Sequence, residues 1–583
     1  MREIVIALVI RGLERLAQEG VLPPELARAF AERSAEFKVE RPREKTHGDF
    51  STNAALVLAR QAGMKPRDLA QRLLDAMAAD PASGVRCTIA GPGFLNFYLS
   101  EERLRQLIPQ ILQLGSKYGQ TQVGTGERIL VEFVSANPTG PMHVGHGRGA
   151  VTGDAIARLF AAIGCQVERE YYINDAGTQI DVLGRSVLFR YRECLGYPAS
   201  APADYYPGEY VTEIARALIE RDGERWLSAS ERDGTRATLE RPPEAVIDFA
   251  IDWVMQEIRA DLELMQIRFD RWFSERSLHR EGGIERALSH LSQQGWLYEG
   301  VLEPPKGREV NSDEVDGRKQ LLFRASRFGD DADRPLLKAD GTPTYFAADI
   351  AYHFDKAQRG YTRLVDVWGA DHGGYVKRVE AALEAMTGRK GLLDVVLTQM
   401  VNLTQGGKQV RMSKRAGTFV TLRDVVDETG ADAVRFWFLT RSSGAGLDFD
   451  LDLAKSKSND NPVFYVQYAH ARVCSLEVKL RERELEDVAG DLARLTAPEE
   501  LDLIRLLGLF PETVESAAWS REPHRVTYYL SDLAAAFHGY YNQFRILDED
   551  PQVRGARMAL VRATGRVIAN GLDLLGVSAP ESM

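Results

Sequence analysis

The sequence is poor in cysteine. Its 583 residues include four, Cys87, Cys165, Cys194 and Cys474, which lie far apart and form no Cys-x-x-Cys pair. Structural zinc sites and disulfide frameworks both depend on regularly spaced cysteines. The spacing therefore predicts neither kind of site, and we expect four reduced, partly buried thiols.

Long hydrophobic runs are also missing. The apolar run Ile4–Ile10 is far shorter than the roughly 20 residues that a membrane-spanning helix needs, and no small-residue cleavage site follows it. The run therefore predicts the buried face of a first helix. With no other candidate span in the sequence, we expect a cytoplasmic protein.

The chain lacks an excess of basic residues. It has 73 lysines and arginines against 84 aspartates and glutamates, a net charge of −11. This balance argues against a protein coated everywhere with nucleic acid. An RNA partner is still compatible with it, because binding depends on local basic patches.

The length and the hydrophobic pattern predict an α/β protein of several domains, since 583 residues exceed what one core accommodates. Residues 1–105 form a small α/β unit on this interpretation. Its elements are helical periodicity over Arg2–Gln18 and Pro23–Ala35 and strand patterns at Phe37–Glu40 and Gly91–Leu99. The linker Gly119–Glu127, rich in Gly, Thr and Gln, follows.

A different pattern begins at Ile129. A buried strand, Ile129–Val134, is followed by a glycine-rich loop, a helix over Ala150–Ile163 and a second strand, Gln166–Tyr172. This order is half of a nucleotide-binding α/β fold. Strand patterns return only at Leu364–Trp368 and Leu392–Leu397.

The interval 184–335 is therefore predicted to be a mostly helical insertion between two halves of one sheet. Within it, the acidic stretch Gly329–Asp333 is expected to be a solvated loop. After about Asn461 the pattern becomes almost wholly helical. The apolar spacing predicts a bundle with helices at Tyr465–Leu480, Pro498–Phe510, Val526–Phe544 and Val553–Leu575.

The most informative stretch is NPTGPMHVGHGRGA, Asn137–Ala150. It matches neither Gly-x-Gly-x-x-Gly with an acidic partner nor Gly-x-x-x-x-Gly-Lys-Ser/Thr. His143 and His146 lie three apart, on one side of a turn, where both could donate hydrogen bonds to phosphate oxygens. A packing turn is an alternative, and so is a metal site, although no third ligand of clear spacing accompanies the pair.

A second stretch lies far downstream. Val410–Gly417 (VRMSKRAG) is a basic loop after the Gly406–Gly407 turn. A lysine on a flexible stem can reach a leaving pyrophosphate and neutralise it as the bond breaks. Taken alone, such a loop is more often just solvated charge.

Together the two stretches resemble the signatures of the class I aminoacyl-tRNA synthetases, a His-x-Gly-His loop and a Lys-Met-Ser-Lys-Ser loop. Over essentially the whole chain, the sequence is similar to the arginyl-tRNA synthetases of the bacterial type. The matching stretches are Gly48–Asn53 (GDFSTN), Phe133–Pro141 (FVSANPTGP), Trp368–His372 (WGADH), Asp432–Phe436 (DAVRF), Asn461–Arg472 (NPVFYVQYAHAR) and Leu574–Val577 (LLGV).

The resemblance implies the fold, which is a Rossmann-like parallel-sheet catalytic domain with a helical insertion, a small N-terminal α/β domain and a C-terminal α-helical bundle. The implied domains are an N-terminal tRNA-contacting unit, a divided catalytic domain, a Met-Ser-Lys loop with the tRNA stem-contact region, and an anticodon-binding bundle. Their expected ranges are 1–105, 126–183 and 336–400 around the insertion 184–335, 401–460 and 461–583.

The resemblance also implies the reaction. L-Arginine attacks the α-phosphate of ATP, which enters with Mg²⁺, and gives arginyl-adenylate and pyrophosphate. The acyl group then passes to the 3′ end of tRNA(Arg). The implied partners are tRNA(Arg), L-arginine and ATP, with no membrane and no resident structural metal, and we expect a monomer. Family members usually need bound tRNA before they activate the amino acid.

The resemblance assigns the nucleotide site residue by residue. His143, His146 and Lys414 are the implied catalytic residues. The residues implied to bind ATP are His143, Gly145, His146, Gly369, Asp371, His372, Met412, Ser413 and Lys414. The second signature departs from the family at Arg411 and Arg415, where Lys and Ser are usual.

The amino-acid pocket follows from chemistry and from the resemblance. A guanidinium is planar and always charged, so its pocket should offer carboxylates. Tyr345 and Asp349 are four apart and share a helix face, and they match the family's arginine-binding positions. The implied arginine-binding residues are Glu132, Asn137, His143, Tyr345 and Asp349. Some relatives have a further glutamine where this chain has Gly373 and Gly374, so that contact is not expected here.

Two regions are candidates for tRNA contacts. Aromatic and basic residues occur together in the C-terminal bundle, where Tyr541 and Arg545 are expected to bind anticodon bases and phosphate. In the N-terminal unit the resemblance points to Phe50 and Asn53, which could equally be a core anchor and a turn.

The remaining alternatives are another class I synthetase, a small nucleotidyltransferase and a non-catalytic tRNA-binding paralogue. Nucleotidyltransferases lack the long insertion and the bundle. A paralogue would be expected to lose one of the two histidines or the lysine, and the pocket carboxylates favour arginine over a neutral amino acid.

Overall fold

The computed structural model describes residues 1–25, 39–42, 44–78, 84–197, 200–228, 241–301, 319–410, 420–547 and 550–583. Within these ranges the strands are β1 (Val39–Glu40), β2 (Phe50–Thr52), β3 (Val85–Ala90), β4 (Phe94–Leu99), β5 (Arg128–Glu132), β6 (Gln166–Ile173), β7 (Arg271–Ser274), β8 (Leu297–Gly300), β9 (Gln320–Phe323), β10 (Arg334–Leu337), β11 (Arg363–Gly369), β12 (Leu393–Thr398), β13 (Val401–Gln405), β14 (Lys408–Gln409) and β15 (Leu447–Asp450).

The α-helices of the same ranges are Arg2–Gln18, Ala54–Leu58, Pro66–Ala78, Glu101–Arg105, Leu107–Leu114, Val144–Ala162, Thr178–Cys194, Glu209–Asp222, Glu244–Leu264, Glu275–Arg280, Gly283–Gln293, Tyr345–Gln358, Val376–Thr387, Leu422–Thr429, Ala431–Phe438, Leu451–Lys455, Pro462–Glu482, Pro498–Leu507, Phe510–Ser520, His524–Gln543 and Pro551–Leu574. Helix Arg2–Gln18 has the predicted bounds, and Val5, Leu8 and Val9 of its apolar run are buried. No helix in the described part of the chain has both the length and the apolarity to cross a membrane.

The N-terminal unit is a four-stranded antiparallel sheet in the order β1-β2-β4-β3, covered by helices Arg2–Gln18 and Pro66–Ala78. The strand at Phe94–Leu99 confirms the predicted turn and strand. The predicted helix Pro23–Ala35 lies mostly outside the described residues, as do Phe37 and Lys38 of the first strand pattern.

The catalytic domain is built on a five-stranded sheet in the order β12-β11-β5-β6-β7, and all of its neighbouring strands are parallel. From β5 the chain winds outward through β6 to β7, then returns to the other side of β5 as β11. β5 and β11 are therefore neighbours at the point where the direction of winding reverses. In open parallel sheets this point is where ligands bind, at the carboxyl ends of the strands.

The interval 184–335 was predicted to be a mostly helical insertion between two halves of one sheet. It also contributes the edge strand β7 to the central sheet, and it supplies β8, β9 and the start of β10 to a small antiparallel sheet in the order β10-β9-β8. β7 has only four residues, Arg-Trp-Phe-Ser, and so lacks the hydrophobic run by which a buried strand is recognised.

The acidic stretch Gly329–Asp333 was expected to be solvated, and this prediction is wrong for two of its aspartates. Asp330 is buried and accepts hydrogen bonds from Arg334 at 2.7 and 2.9 Å. Asp333 accepts hydrogen bonds from Ser326 and Tyr298. Each carboxylate has acquired partners that the local charge pattern does not reveal.

The C-terminal bundle has five long helices where four were predicted. The additional helix, Phe510–Ser520, follows a break after Leu507, and the Trp519 ring on it lies 6.0 Å from the ring of Phe160. At the break, Gly508 leaves no room for a Cβ because the side chains of Met1 and Leu107 occupy that space. The bundle thus packs directly against the catalytic domain and the N-terminal segment.

Candidate active site

The candidate site lies at the carboxyl ends of β5 and β11. Glu132, the last residue of β5, is directly opposite Asp366 of β11. The turn after β5 leads to His143, and Gly369 ends β11. The structure thus brings the histidine stretch and the Trp368–His372 stretch to neighbouring strand ends, as the resemblance implies.

The turn that leaves β5 has a strained backbone. Val134 and Ser135 have φ values of 69° and 40°, a region that non-glycine residues rarely adopt and that is unusual for a β-branched side chain. Ser135 Oγ donates to Glu132 Oε1 at 2.7 Å and accepts from the Tyr172 N–H at 3.2 Å. These bonds hold a conformation that the sequence alone disfavours.

The two histidines cap a helix. The helix begins at Val144, six residues earlier than the sequence pattern predicts, with His143 as its N-cap. His143 Nδ1 accepts from the Gly145 N–H at 3.1 Å, and His146 Nδ1 accepts from the His143 N–H at 3.3 Å. The rings stack with centroids 3.7 Å apart. The histidine stretch is therefore a helix start held by a reciprocal capping box.

This arrangement sets the tautomers. Because each Nδ1 accepts a backbone hydrogen bond, the proton of each neutral ring is on Nε2, which is a donor. The same helix start carries the positive end of the helix dipole, which favours phosphate. The geometry supports the phosphate interpretation of His143 and His146.

The histidine stretch is in direct contact with residues that follow the second signature loop in the chain. Residues 411–419, which include Met412, Ser413 and Lys414, lie outside the described residues. Immediately after them, Thr421 forms an isolated antiparallel bridge with His143, and the Leu422 N–H donates to the Met142 carbonyl at 2.8 Å. Thr421 and Leu422 are thereby held beside the histidines.

Helix Val144–Ala162, the signature helix, has two glycines that make room for neighbouring side chains of the protein and not for a ligand. A Cβ on Gly147 would lie 2.6 Å from Leu422 Cδ1, and one on Gly153 would collide with the side chain of Phe133. Gly145 is half-exposed at the helix start and is the glycine placed to let phosphate approach the backbone.

The end of β11 is open to solvent. Asp371 and His372 are exposed on the short 3₁₀ turn Ala370–Tyr375, and their side chains are 3.7 Å apart. A Cβ on Gly369 would lie 2.5 Å from Asp371 Oδ1, so a side chain there would displace the exposed Asp371 carboxylate. All three predicted residues are thus grouped at the strand end.

The predicted pocket pair lies on helix Tyr345–Gln358. Tyr345 begins the helix and is 70% exposed, and Asp349 is one turn further on the same face. Burial raises the pKa of Asp349, although the Tyr375 hydroxyl donates to its carboxylate and lowers the pKa. On the opposite wall, Asn137 Nδ2 donates to Gln179 Oε1 at 2.9 Å.

A further carboxyl group, missed in the sequence, faces Asp349. Glu275 is buried at the end of β7, and its pKa is raised to about 7, first by burial and then by the charges of Asp349 and Asp175; a hydrogen bond with Tyr172 opposes the rise. A carboxyl group held near its titration point beside another carboxylate is typical of a cation-binding site. No local pattern identifies Glu275, because β7 itself is too short to recognise.

Buried charges underlie the pocket. The Lys356 ammonium donates to Glu132 Oε2 and to both oxygens of Asp366, at 2.9 and 3.0 Å, and His353 Nε2 lies 2.9 Å from Asp366 Oδ2. Glu132, His353 and Asp366 could by type and spacing hold a metal ion. In this structure the Lys356 ammonium lies between the two carboxylates. A metal ion would need the same position and would be repelled by the ammonium, so it does not fit there.

The four predicted tRNA-binding residues differ in exposure. Phe50 is fully buried in β2 with the Arg41 guanidinium 4.6 Å above its ring, so it is the core anchor that the sequence offered as its alternative role. Asn53 is half-exposed and is the N-cap residue of helix Ala54–Leu58. In the bundle, Tyr541 is half-exposed with the Arg472 guanidinium 4.8 Å from its ring centre, and Arg545 is exposed.

Three family models match the chain. They are the arginyl tRNA synthetase N terminal domain over residues 19–99, the catalytic domain of the class I tRNA synthetases (R) over residues 107–192, and the DALR anticodon binding domain over residues 466–583. Their order along the chain is that of the three units described above.

Relatives cover the full length. The arginine–tRNA ligase of Magnetococcus marinus is 57% identical over 588 residues, covering 100% of both chains, and that of Roseobacter denitrificans is 46% identical, covering 99% of this chain and 98% of the relative. The solved arginyl-tRNA synthetase of Thermus thermophilus superimposes with a TM-score of 0.70 at 25% identity, covering 96% of this chain and 98% of that one. The chain belongs to the class I arginyl-tRNA synthetases of the bacterial type, and it is an aminoacyl-tRNA synthetase.

Proposed function

We propose that this enzyme activates L-arginine with MgATP to arginyl-adenylate and then transfers the arginyl group to the 3′ end of tRNA(Arg). In the first step an arginine carboxylate oxygen bonds to the α-phosphorus as the bond to pyrophosphate breaks. One observation carries the proposal. His143 and His146 accept backbone hydrogen bonds through Nδ1 at the helix start, and Thr421, which follows the lysine loop, forms a bridge with His143.

His143 and His146 act as donors to the phosphates, through Nε2, and not as general bases. Each Nδ1 is already engaged by a backbone N–H, so neither ring needs to accept a proton for the chemistry. Preset donors of this kind stabilise charge that develops in the transition state. Lys414, with Ser413 and Met412, comes from the loop anchored at Thr421 and neutralises the departing pyrophosphate.

Arginine binds between the helix Tyr345–Gln358 and the turn after β5. Asp349 and Glu275 form the acidic end for the guanidinium, and the exposed ring of Tyr345 lies on the same helix face as Asp349. Glu132 and Asn137 form the other wall of the pocket, which faces the α-ammonium group of arginine. His143 stands between this pocket and the phosphates.

The adenosine lies at the end of β11. The close approach of Gly369 to Asp371 and the exposure of Asp371 and His372 support a role in holding the nucleoside. Mg²⁺ arrives with the polyphosphate as part of the substrate. The tRNA meets Asn53 in the N-terminal unit, and Tyr541 and Arg545 in the bundle; Phe50 supports the first contact from the core.

We further propose that the enzyme acts as a cytoplasmic monomer. One chain carries the catalytic sheet, the N-terminal unit and the helical bundle, so a single copy holds every part that the reaction needs.

ATP–pyrophosphate exchange with each amino acid, with and without tRNA, tests the function. We expect exchange with arginine in the presence of tRNA(Arg). Exchange with lysine or glutamate but not arginine would refute the assignment, and exchange without tRNA would refute the tRNA dependence. Lys414→Ala should lower the activation rate strongly with little change in arginine affinity; a loss of arginine binding would remove Lys414 from the pyrophosphate role.

A further inference from the structure

Three buried carboxylates stand side by side across the central sheet. Asp366 of β11 pairs in register with Glu132 of β5, and Glu132 pairs in register with Glu170 of β6. Neighbouring strands are only about 4.8 Å apart, so like charges at one register repel strongly inside a protein. All three side chains are buried, and each needs a partner in place.

One helix supplies the partners. Lys356 bridges Glu132 and Asp366, while Arg359 donates to both oxygens of Glu170, to Oε1 at 2.9 Å. Lys356 is fully buried, and the surrounding carboxylates raise its pKa against the effect of burial. The ammonium is therefore charged and is the shared counter-ion of Glu132 and Asp366.

Lys356 joins the two walls of the arginine pocket. It lies two turns after Asp349, on the same face of helix Tyr345–Gln358. Through Glu132 it reaches Ser135, whose hydroxyl donates to the other oxygen of the same carboxylate. Ser135 belongs to the strained turn, and Asn137 follows it by two residues.

We propose that Lys356 is a positioning residue for arginine recognition: by holding Glu132 between its ammonium and Ser135, it fixes the turn Val134–Asn137 at the distance from Asp349 that arginine requires. The proposal rests on the proposed function, which places Glu132 and Asn137 in the pocket. Stability alone does not account for the arrangement, because buried ion pairs are commonly no more stabilising than well-packed apolar residues.

A charge-balanced double variant tests the proposal. Lys356→Met alone leaves two adjacent buried carboxyl groups, so it is combined with Asp366→Asn, which removes one acidic group together with the one basic group. The matched control is Arg359→Met with Glu170→Gln, which removes the neighbouring ion pair from the same helix and the same register without touching Glu132 or Ser135.

The measurement is steady-state aminoacylation by the full chain, with KM determined separately for arginine, ATP and tRNA. We expect the Lys356→Met/Asp366→Asn variant to raise the KM for arginine about tenfold or more, the effect of one lost charge-assisted contact, with the other two KM values changed less than about twofold. The control pair should leave the KM for arginine within about twofold. A wild-type arginine KM in the double variant, or an equal rise in the control, would overturn the proposal.

Ser135→Ala provides a second test that changes no charge and decides the matter if the double variant does not fold. It removes the hydrogen bond to Glu132 and should raise the arginine KM in the same way; an unchanged arginine KM would overturn the proposal. Glu132→Gln separates this inference from the proposed function. If that variant has a normal arginine KM, Glu132 is outside the pocket and the proposed pocket itself is wrong.

Discussion

Replacing Gly153 by alanine should push the histidine-bearing helix away from the sheet. Gly153 faces Phe133, the residue after β5, and a Cβ there would lie 2.6 Å from Phe133 Cδ2 and closer still to its Cβ and Cγ. Phe133 is fully buried and its ring lies 4.4 Å from that of Phe269, so it has no free space to move into. The helix must therefore give way.

Two opposing effects set the magnitude. Alanine improves the helix propensity of this position by about 0.5–1 kcal/mol. Overpacking of a core contact costs about 1–3 kcal/mol. Because three atoms of the buried Phe133 would lie closer than 3 Å to the new Cβ, the overpacking cost should be in the upper part of that range, about 2–3 kcal/mol. The net loss should then be about 1–2.5 kcal/mol, which lowers the midpoint of thermal unfolding by about 2–10 °C for a domain of 150–250 residues.

Gly149→Ala is the matched control. It lies on the same helix, and the nearest atom to its added Cβ is Thr398 Oγ1 at 4.0 Å, an ordinary contact. Only the propensity gain remains, so the midpoint should rise by about 1–4 °C. Calorimetry of the full chain measures both variants. Shifts of the same sign in both would refute the argument that helix–strand contact, and not backbone flexibility, requires glycine at position 153.

Three further predictions concern charge. The Glu275 carboxyl ionises only above about pH 7 in the folded protein, against 4.5 in its ordinary state, so the free enzyme loses stability as pH rises through this window. Bound arginine removes that cost, so the arginine-induced rise in melting temperature should be larger at pH 8 than at pH 6. Glu275→Gln should abolish this difference between the two pH values. A rise that does not depend on pH in the wild-type enzyme would contradict the prediction. Tyr375→Phe removes a donor to Asp349 and should raise the KM for arginine about tenfold, with an unchanged KM as the contrary result. Arg435→Met leaves Asp154 without its buried partner and should lower the free energy of unfolding by about 3–5 kcal/mol in chemical denaturation; a loss below about 1 kcal/mol would show that Asp154 is satisfied without it.

Elements with strong local periodicity were predictable. Helix Arg2–Gln18 and the central strands β5, β6, β11 and β12 occur at or within a few residues of the expected bounds, because the helix has periodic apolar positions and the strands are rich in β-branched and aromatic residues. β7 and helix Phe510–Ser520 were missed. The first is four residues long, and the second follows a break at Gly508, where the side chain of Met1, some 500 residues earlier in the chain, occupies the space that a Cβ would need.

The start of the signature helix shows where local reasoning fails. Glycine-rich sequences have low helix propensity, so the sequence pattern predicts a loop at Val144–Gly149. The helix nevertheless begins at Val144, because two imidazoles cap it and because Gly147 packs against Leu422. Both stabilising contributions come from specific contacts that propensity does not include.

The sequence by itself determined the family and the pairing of a histidine stretch with a distant lysine loop, and it supplied Tyr345 and Asp349 as the proposed pocket residues. These conclusions follow from residue types and their spacing, which are given directly by the sequence. The tertiary structure alone decided the tautomers of the histidines, the position of the Glu275 carboxyl beside Asp349, and the register of Asp366, Glu132 and Glu170, whose partners Lys356 and Arg359 come from one helix. The physical reason is that burial and charge pairing depend on which strands become neighbours, and parallel strands bring together residues that are far apart in sequence.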